Sequence, residues 1–149
     1  MQVAASAVGA KGRVVGVDLA ETEPFENENV VAIQGDLEDP GVYDRLLELL
    51  GGSPANVVLC DAAPKLTGVR ERDRAAEERL LEAVEASLPR LLREGGDLLV
   101  KILDGPEAQQ VDQRIRKSFS KAKTVKSSAT RKGSSERYLL ARGYRAPVD

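Results

Sequence analysis

Val57-Val58-Leu59-Cys60-Asp61-Ala62-Ala63-Pro64 is an apolar run, an acid and a small-residue turn. A short, continuous apolar run reads as a strand covered on both faces, which is the habit of parallel sheets. The same design recurs on either side of it. Val14-Val15-Gly16-Val17 ends in Asp18, and Val30-Val31-Ala32-Ile33-Gln34 leads into Gly35-Asp36. Asp97-Leu98-Leu99-Val100-Lys101-Ile102-Leu103 is a buried strand with a lysine inside it.

Helical patterns separate these runs. Residues 2–9 read as the last turns of a helix ending near Gly9. Asp39 is placed to cap a helix with Pro40 in its first turn, burying Tyr43, Leu46, Leu47 and Leu50 and stopping at Gly51-Gly52. Arg72 to Arg93 forms a long amphipathic helix that Pro89 should kink or break, ended by Gly95-Gly96. Glu107 to Phe119 carries Val111, Ile115 and Phe119 at four-residue intervals. The last two strand patterns, Ala122–Lys126 and Glu136–Arg142, are joined by a Ser/Arg/Lys loop over 127–135 with no helix between them, so they should pair antiparallel. The expected fold is α/β: a mostly parallel sheet with a C-terminal antiparallel hairpin, in one domain over residues 1–149.

Composition narrows the chemistry. With 42% hydrophobic and 31% charged residues in 149, the chain reads as soluble and globular. No apolar run approaches the roughly 20 residues of a bilayer span, and Met1-Gln2-Val3-Ala4-Ala5 lacks a basic signal-peptide start. Cys60 is the single cysteine, which excludes an internal disulfide and fits a reducing cytoplasm. The chain has no histidine, which removes Ser-His-Asp and Cys-His machinery and the usual zinc sites. Acid–base work falls to carboxylates, lysine or tyrosine.

The net charge of −2 conceals an asymmetry: residues 1–111 balance at −10 and residues 112–149 at +8. A basic third of this kind suggests a face for a polyanion, with Arg114, Arg116, Lys117, Lys121, Lys123, Lys126, Arg131 and Lys132 as its candidates. A solvated basic surface without a partner is the plainer alternative.

Five residues are candidates for a site. In an open α/β sheet, ligands gather outside the carboxyl ends of the strands. Asp18 is placed there to accept the hydroxyls of a ribose, and Asp36 to accept an amino group, although acids also end strands merely to form turns. Asp61 precedes a small-residue loop that lets a ligand approach the backbone. Lys101 interrupts an apolar strand and needs a carboxylate partner, which Asp61 or Glu136 can supply. Whether its amine is a base or a charged, orienting group depends on whether burial or those carboxylates dominate.

The run Val58 to Gly68, which contains Asp61-Ala62-Ala63-Pro64, resembles the Asp-x-Ala-Pro-x-x-x-Gly motif of the FtsJ/RrmJ (RlmE-type) ribosomal RNA 2′-O-methyltransferase family. Residues 12–19, 34–36, 95–101 and 134–138 match the family in order as well. The resemblance implies a Rossmann-like methyltransferase fold using S-adenosyl-L-methionine, with ribosomal RNA or the large ribosomal subunit as partner and no membrane. It implies Asp61, Lys101 and Glu136 as three members of a Lys-Asp-Lys-Glu catalytic set, and Asp18, Asp36 and Asp61 as cofactor contacts. No counterpart is present for the set's first lysine, nor for the family's glycine-rich loop and the central strand before it. The expectation is therefore a methyltransferase domain lacking its N-terminal segment, with the strand between the Asp18 and Asp61 strands missing. The alternatives are an inactive RNA-binding copy, or the same reaction on transfer RNA or messenger RNA caps.

Overall fold

The structure is a computed structural model describing residues 1–127 and 136–148. It divides into two compact units, Met1–Pro54 and Ala55–Asp149. Among the described residues no helix is long and apolar enough to cross a membrane.

The first unit holds α1 (Gln2–Val8), β1 (Val14–Asp18), β2 (Val30–Gln34) and α2 (Gly41–Leu49). β1 and β2 pair in parallel, Val14 opposite Val30 through Asp18 opposite Gln34. Their carboxyl ends thus lie side by side, which places Asp18 and Asp36 at one edge of this small sheet. Asn29 Nδ2 ties down the turn before β1 by donating to the carbonyls of Gly9 and Gly12, each at 2.9 Å. Asp39 does act at the start of α2, where its Oδ1 accepts from Gly41 N at 2.9 Å, but the helix begins one residue later than the sequence suggests, with Pro40 as its cap. Val42, Tyr43 and Leu46 are its buried residues, and Gly51 and Gly52 end the run with φ of +84° and +82°, a backbone that side chains resist.

The second unit is built from β3 (Ala55–Cys60), α3 (Arg70–Leu91), β4 (Leu92–Lys101), α4 (Pro106–Lys117), β5 (Phe119–Lys126) and β6 (Arg137–Tyr144). Its sheet has the order β3-β4-β6-β5, with β3 and β4 parallel and β6 antiparallel to both its neighbours. The returning strand of the hairpin therefore enters the sheet beside β4 and leaves β5 at the edge. Leu98, Val100, Leu139 and Ala141 make a buried row on one face. The face is identified by Thr124, paired with Leu139, whose hydroxyl accepts from Arg116 on α4. Leu81, Val84 and Leu88 of α3 and Val111 and Ile115 of α4 complete this core, and Phe119 packs on Tyr144 at 5.2 Å between ring centroids.

Three expectations about this unit need correction. β3 is not covered on both faces: Val57 is 50% and Leu59 60% exposed, because α3 covers one side and β4 is its sheet neighbour in this unit. Phe119 belongs to β5 rather than to the preceding helix, since α4 ends at Lys117. α3 ends at Leu91, two residues after Pro89, and Leu92 already pairs with Ala55, so Gly95-Gly96 lies inside β4 instead of before it. Pro89 cannot donate to the carbonyl of Glu85 one turn earlier, and the helix ends within two residues of it.

Candidate active site

Lateral pairing decides what meets in the second unit. Cys60 pairs with Val100 and Lys101 with Tyr138, so Asp61, one residue beyond Cys60, comes level with Lys101. Side chains level with one another in a sheet point to the same face. Asp61, Lys101 and Tyr138 thus form one polar row across three strands, and Glu136, two residues before Tyr138, projects from the same face.

The contacts close a ring. Lys101 Nζ lies 3.1 Å from Asp61 Oδ1 and 3.4 Å from Glu136 Oε1. Tyr138 Oη donates to the same Asp61 Oδ1 at 2.9 Å and lies 3.3 Å from Glu136 Oε2. The lysine stem is held within the sheet, its side chain 17% exposed, whereas the two carboxylates are open to solvent. Burial works against the charged ammonium, but the hydrogen bond and charge of Asp61, followed by those of Glu136, outweigh it. The Lys101 pKa therefore lies above the ordinary 10.5. That answers the question the sequence leaves open: at neutral pH the amine is charged, and it can orient a hydroxyl and stabilise negative charge but not accept a proton. Tyr138 is pushed up to about 12, first by its hydrogen bond to Asp61, then by burial and by the charges of Asp61 and Glu136. It is a neutral donor. Cys60 is raised chiefly by burial, which keeps its thiol protonated and inert.

The loop after Asp61 is fastened at its far end. Asp73 in the first turn of α3 accepts from Thr67 N at 2.7 Å, Thr67 Oγ1 at 2.8 Å and Gly68 N at 3.1 Å. Gly68 has φ +83°, so the turn that presents its N–H suits glycine. These bonds, the one from Thr67 N foremost, hold the Asp73 carboxyl below its ordinary 3.8. A depressed carboxylate contributes stability that is present above the ordinary value and lost as pH falls through the folded one. Asp73→Asn is therefore expected to lower the melting temperature at pH 7, with the gap to wild type closing below about pH 3.8. Thermal unfolding across this range checks it.

Asp18 and Asp36 belong to the first unit. Asp18 Oδ1 accepts from Ala20 N and Asp36 Oδ1 from Glu38 N, both at 2.9 Å, so each acid forms the Asx turn that is the plainer reading of its position. A carboxylate retains acceptor capacity beyond one such bond, and both acids are exposed. These acceptors suit the hydroxyl and amino groups of a nucleoside, which donate.

The basic third is less uniform than its composition. Arg114 is committed to Glu85 at 2.8 Å and to Glu82 at 3.6 Å, and Arg116 to Asp112 and Thr124. Lys121 and Lys123 are exposed on β5, opposite Arg142 and Leu140, and so share the sheet face of Lys101. Arg131 and Lys132, like the motif residues Ser134 and Ser135, lie outside the described residues. Tyr138 is the member of the ring that sequence reasoning overlooks. Only its spacing of two from Glu136 hints at a shared face.

Solved structures give the fold. The fold matches a Plasmodium falciparum protein provisionally described as a ribosomal RNA methyltransferase, with a TM-score of 0.74 and 22% identity over 92% of this chain and 75% of that one. It also matches the fibrillarin pre-rRNA processing protein of Methanococcus jannaschii, with a TM-score of 0.57 and 15% identity over 91% and 57%. Likenesses at these identities establish a Rossmann-like methyltransferase fold and no more. Sequence supplies the family. The pattern of the FtsJ-like methyltransferases matches residues 1–144, and the chain belongs to that family. It is 42% identical to the ribosomal RNA large subunit methyltransferase E of Methanothermobacter thermautotrophicus, over 97% of this chain and 68% of that protein. The Pseudomonas aeruginosa protein of the same name is 37% identical over 97% and 69%.

Proposed function

We propose that this protein methylates a ribose 2′-hydroxyl in large-subunit ribosomal RNA, with S-adenosyl-L-methionine as donor. The observation that carries the reading is the charged Lys101 amine, held between Asp61 and Glu136 at the ends of the strands. An ammonium so placed is a hydrogen-bond donor with no lone pair to offer. It fixes the attacking hydroxyl in line and stabilises the negative charge that develops on its oxygen, and alignment of this kind supplies much of the acceleration in a displacement. The hydroxyl proton passes to Asp61, Glu136 or water as the bond to the methyl group forms and the bond to sulfur breaks, so the oxygen gains the partial negative charge that the ammonium stabilises. Asp18, Asp36 and Asp61 would hold the cofactor, whose sulfonium supplies an electrophilic methyl group when bound. The family match across both units supports treating them as one methyltransferase domain.

Ribosomal RNA is favoured as substrate by the relatives' names, and a phosphate backbone suits Lys121 and Lys123. Transfer of labelled methyl from the cofactor to large-subunit RNA, with transfer RNA and capped messenger RNA as competitors, tests the choice. Label in the ribosomal RNA alone is expected, and preferential labelling of either competitor would reassign the substrate. Replacing Lys121 and Lys123 together by alanine should weaken RNA binding and flatten the slope of log affinity against log salt by about 1.5, since each phosphate contact releases counterions. Cofactor affinity should not change. Filter binding at several salt concentrations provides the check.

A further inference from the structure

We infer that Tyr138 is a positioning residue for Lys101: its hydroxyl fixes the Asp61 and Glu136 carboxylates so that the amine keeps one N–H aimed at the substrate hydroxyl. The inference rests on the function proposed above and adds a residue to its machinery.

An ammonium has three donors. Asp61 Oδ1 and Glu136 Oε1 take two of them, which leaves one for the substrate. The direction of the third is set by where the first two are held. Packing cannot hold them, because the Asp61 side chain is 72% exposed and that of Glu136 49%. An exposed carboxylate turns readily about its last torsion. Tyr138 restrains both by sharing its one proton in a bifurcated bond, chiefly with Asp61 Oδ1 at 2.9 Å and more weakly with Glu136 Oε2 at 3.3 Å, the oxygen that Lys101 does not use. The phenol ring is anchored in β6 directly opposite Lys101 in the antiparallel ladder, so the strand pairing that places the lysine also places its brace.

The hydroxyl suits this work because it remains a donor. With its pKa near 12 it stays protonated at neutral pH and adds no third negative charge to the ring. A phenylalanine would fill the same space and pair in the same ladder while leaving both carboxylates free to rotate.

The test is Tyr138→Phe, read in two ways. In methyl transfer, kcat should fall about tenfold, the size of one lost hydrogen bond, while KM for RNA, cofactor affinity and melting temperature stay within about twofold or a degree or two of wild type. Nitrogen-15 spectra of the lysine amines of the same protein need no activity. The Lys101 ammonium should give a sharp signal, protected from solvent exchange, that broadens in Tyr138→Phe. An unchanged kcat, or a loss in kcat matched by equal losses in cofactor affinity and melting temperature, would overturn the inference. So would an unaltered Lys101 signal. A wild-type protein that transfers no methyl group would count against the proposed function alone, leaving the ammonium signal to decide the role of Tyr138.

Discussion

Lys101→Ala is expected to lower methyl transfer by about a hundredfold to a thousandfold, in the range found when a donor aimed at developing charge is removed. Cofactor affinity should change by no more than a few-fold, because the amine acts on the attacking hydroxyl. A loss confined to turnover marks an interaction made in the transition state. Titration adds a second signature. Asp61 and Glu136 hold the Lys101 pKa above its ordinary value, so the amine is charged throughout the neutral range. The rate should therefore show no rise between pH 7 and 9 that disappears with Lys101. Such a rise would mean that the lysine is a base, and that burial rather than the two carboxylates sets its state. Stopped assays at saturating RNA and cofactor, with cofactor binding measured separately, distinguish these outcomes. Parallel losses in rate and cofactor affinity would make Lys101 a binding residue instead.

Leu98→Ala should be the most damaging of the core truncations. Leu98 is fully buried, lies between Val58 and Ala141 in the sheet, and belongs to the buried row under α3 and α4. Removing a leucine side chain at such a position costs about 3 kcal/mol, part transfer and part residual cavity. For a chain of this length that corresponds to a fall of about 10 °C in melting temperature. Leu59→Ala, on the open face of the neighbouring strand, should cost well under 1 kcal/mol because most of that side chain is already in water. Urea unfolding of the two variants side by side is the measurement. Equal losses would mean that the face carrying Val57 and Leu59 is covered in solution.

These two leucines also show where sequence reading succeeds and where it stops. β2 coincides with its expected run, and β1 and β3 lie within a residue or two of theirs, because apolar runs bounded by glycine, asparagine and aspartate leave few alternatives. The same runs do not reveal whether one face or two will be covered. Val57 and Leu59 are as apolar as Leu98 and Val100, yet only the latter pair meets helices. The end of α3 was ambiguous for a related reason: Leu92 continues the helical apolar face, but its pairing with Ala55 draws it into β4.

Asp61, Lys101 and Glu136 were legible because charged residues at the ends of apolar strands are hard to accommodate without a purpose. Their approach to within 3.4 Å was not, since it depends on how β4 and β6 align. Shifting that register by one residue would send Glu136 and Tyr138 to the opposite face. Tyr138 escaped notice because a tyrosine inside a strand reads as core until its hydroxyl has an address. Family resemblance supplied roles for Asp18, Asp36, Asp61, Lys101 and Glu136. What the geometry adds is the charge state of the lysine and the fourth member of its ring.

The most direct test of the account is to locate the transferred methyl group. RNA treated with the protein and labelled cofactor would be digested to nucleosides and resolved by mass spectrometry, with Lys101→Ala in parallel. The account predicts a single ribose-methylated nucleoside that resists alkaline cleavage at its 3′ side, and its near absence in the variant. Methyl groups on a base, or ribose methylation that persists undiminished in Lys101→Ala, would contradict it.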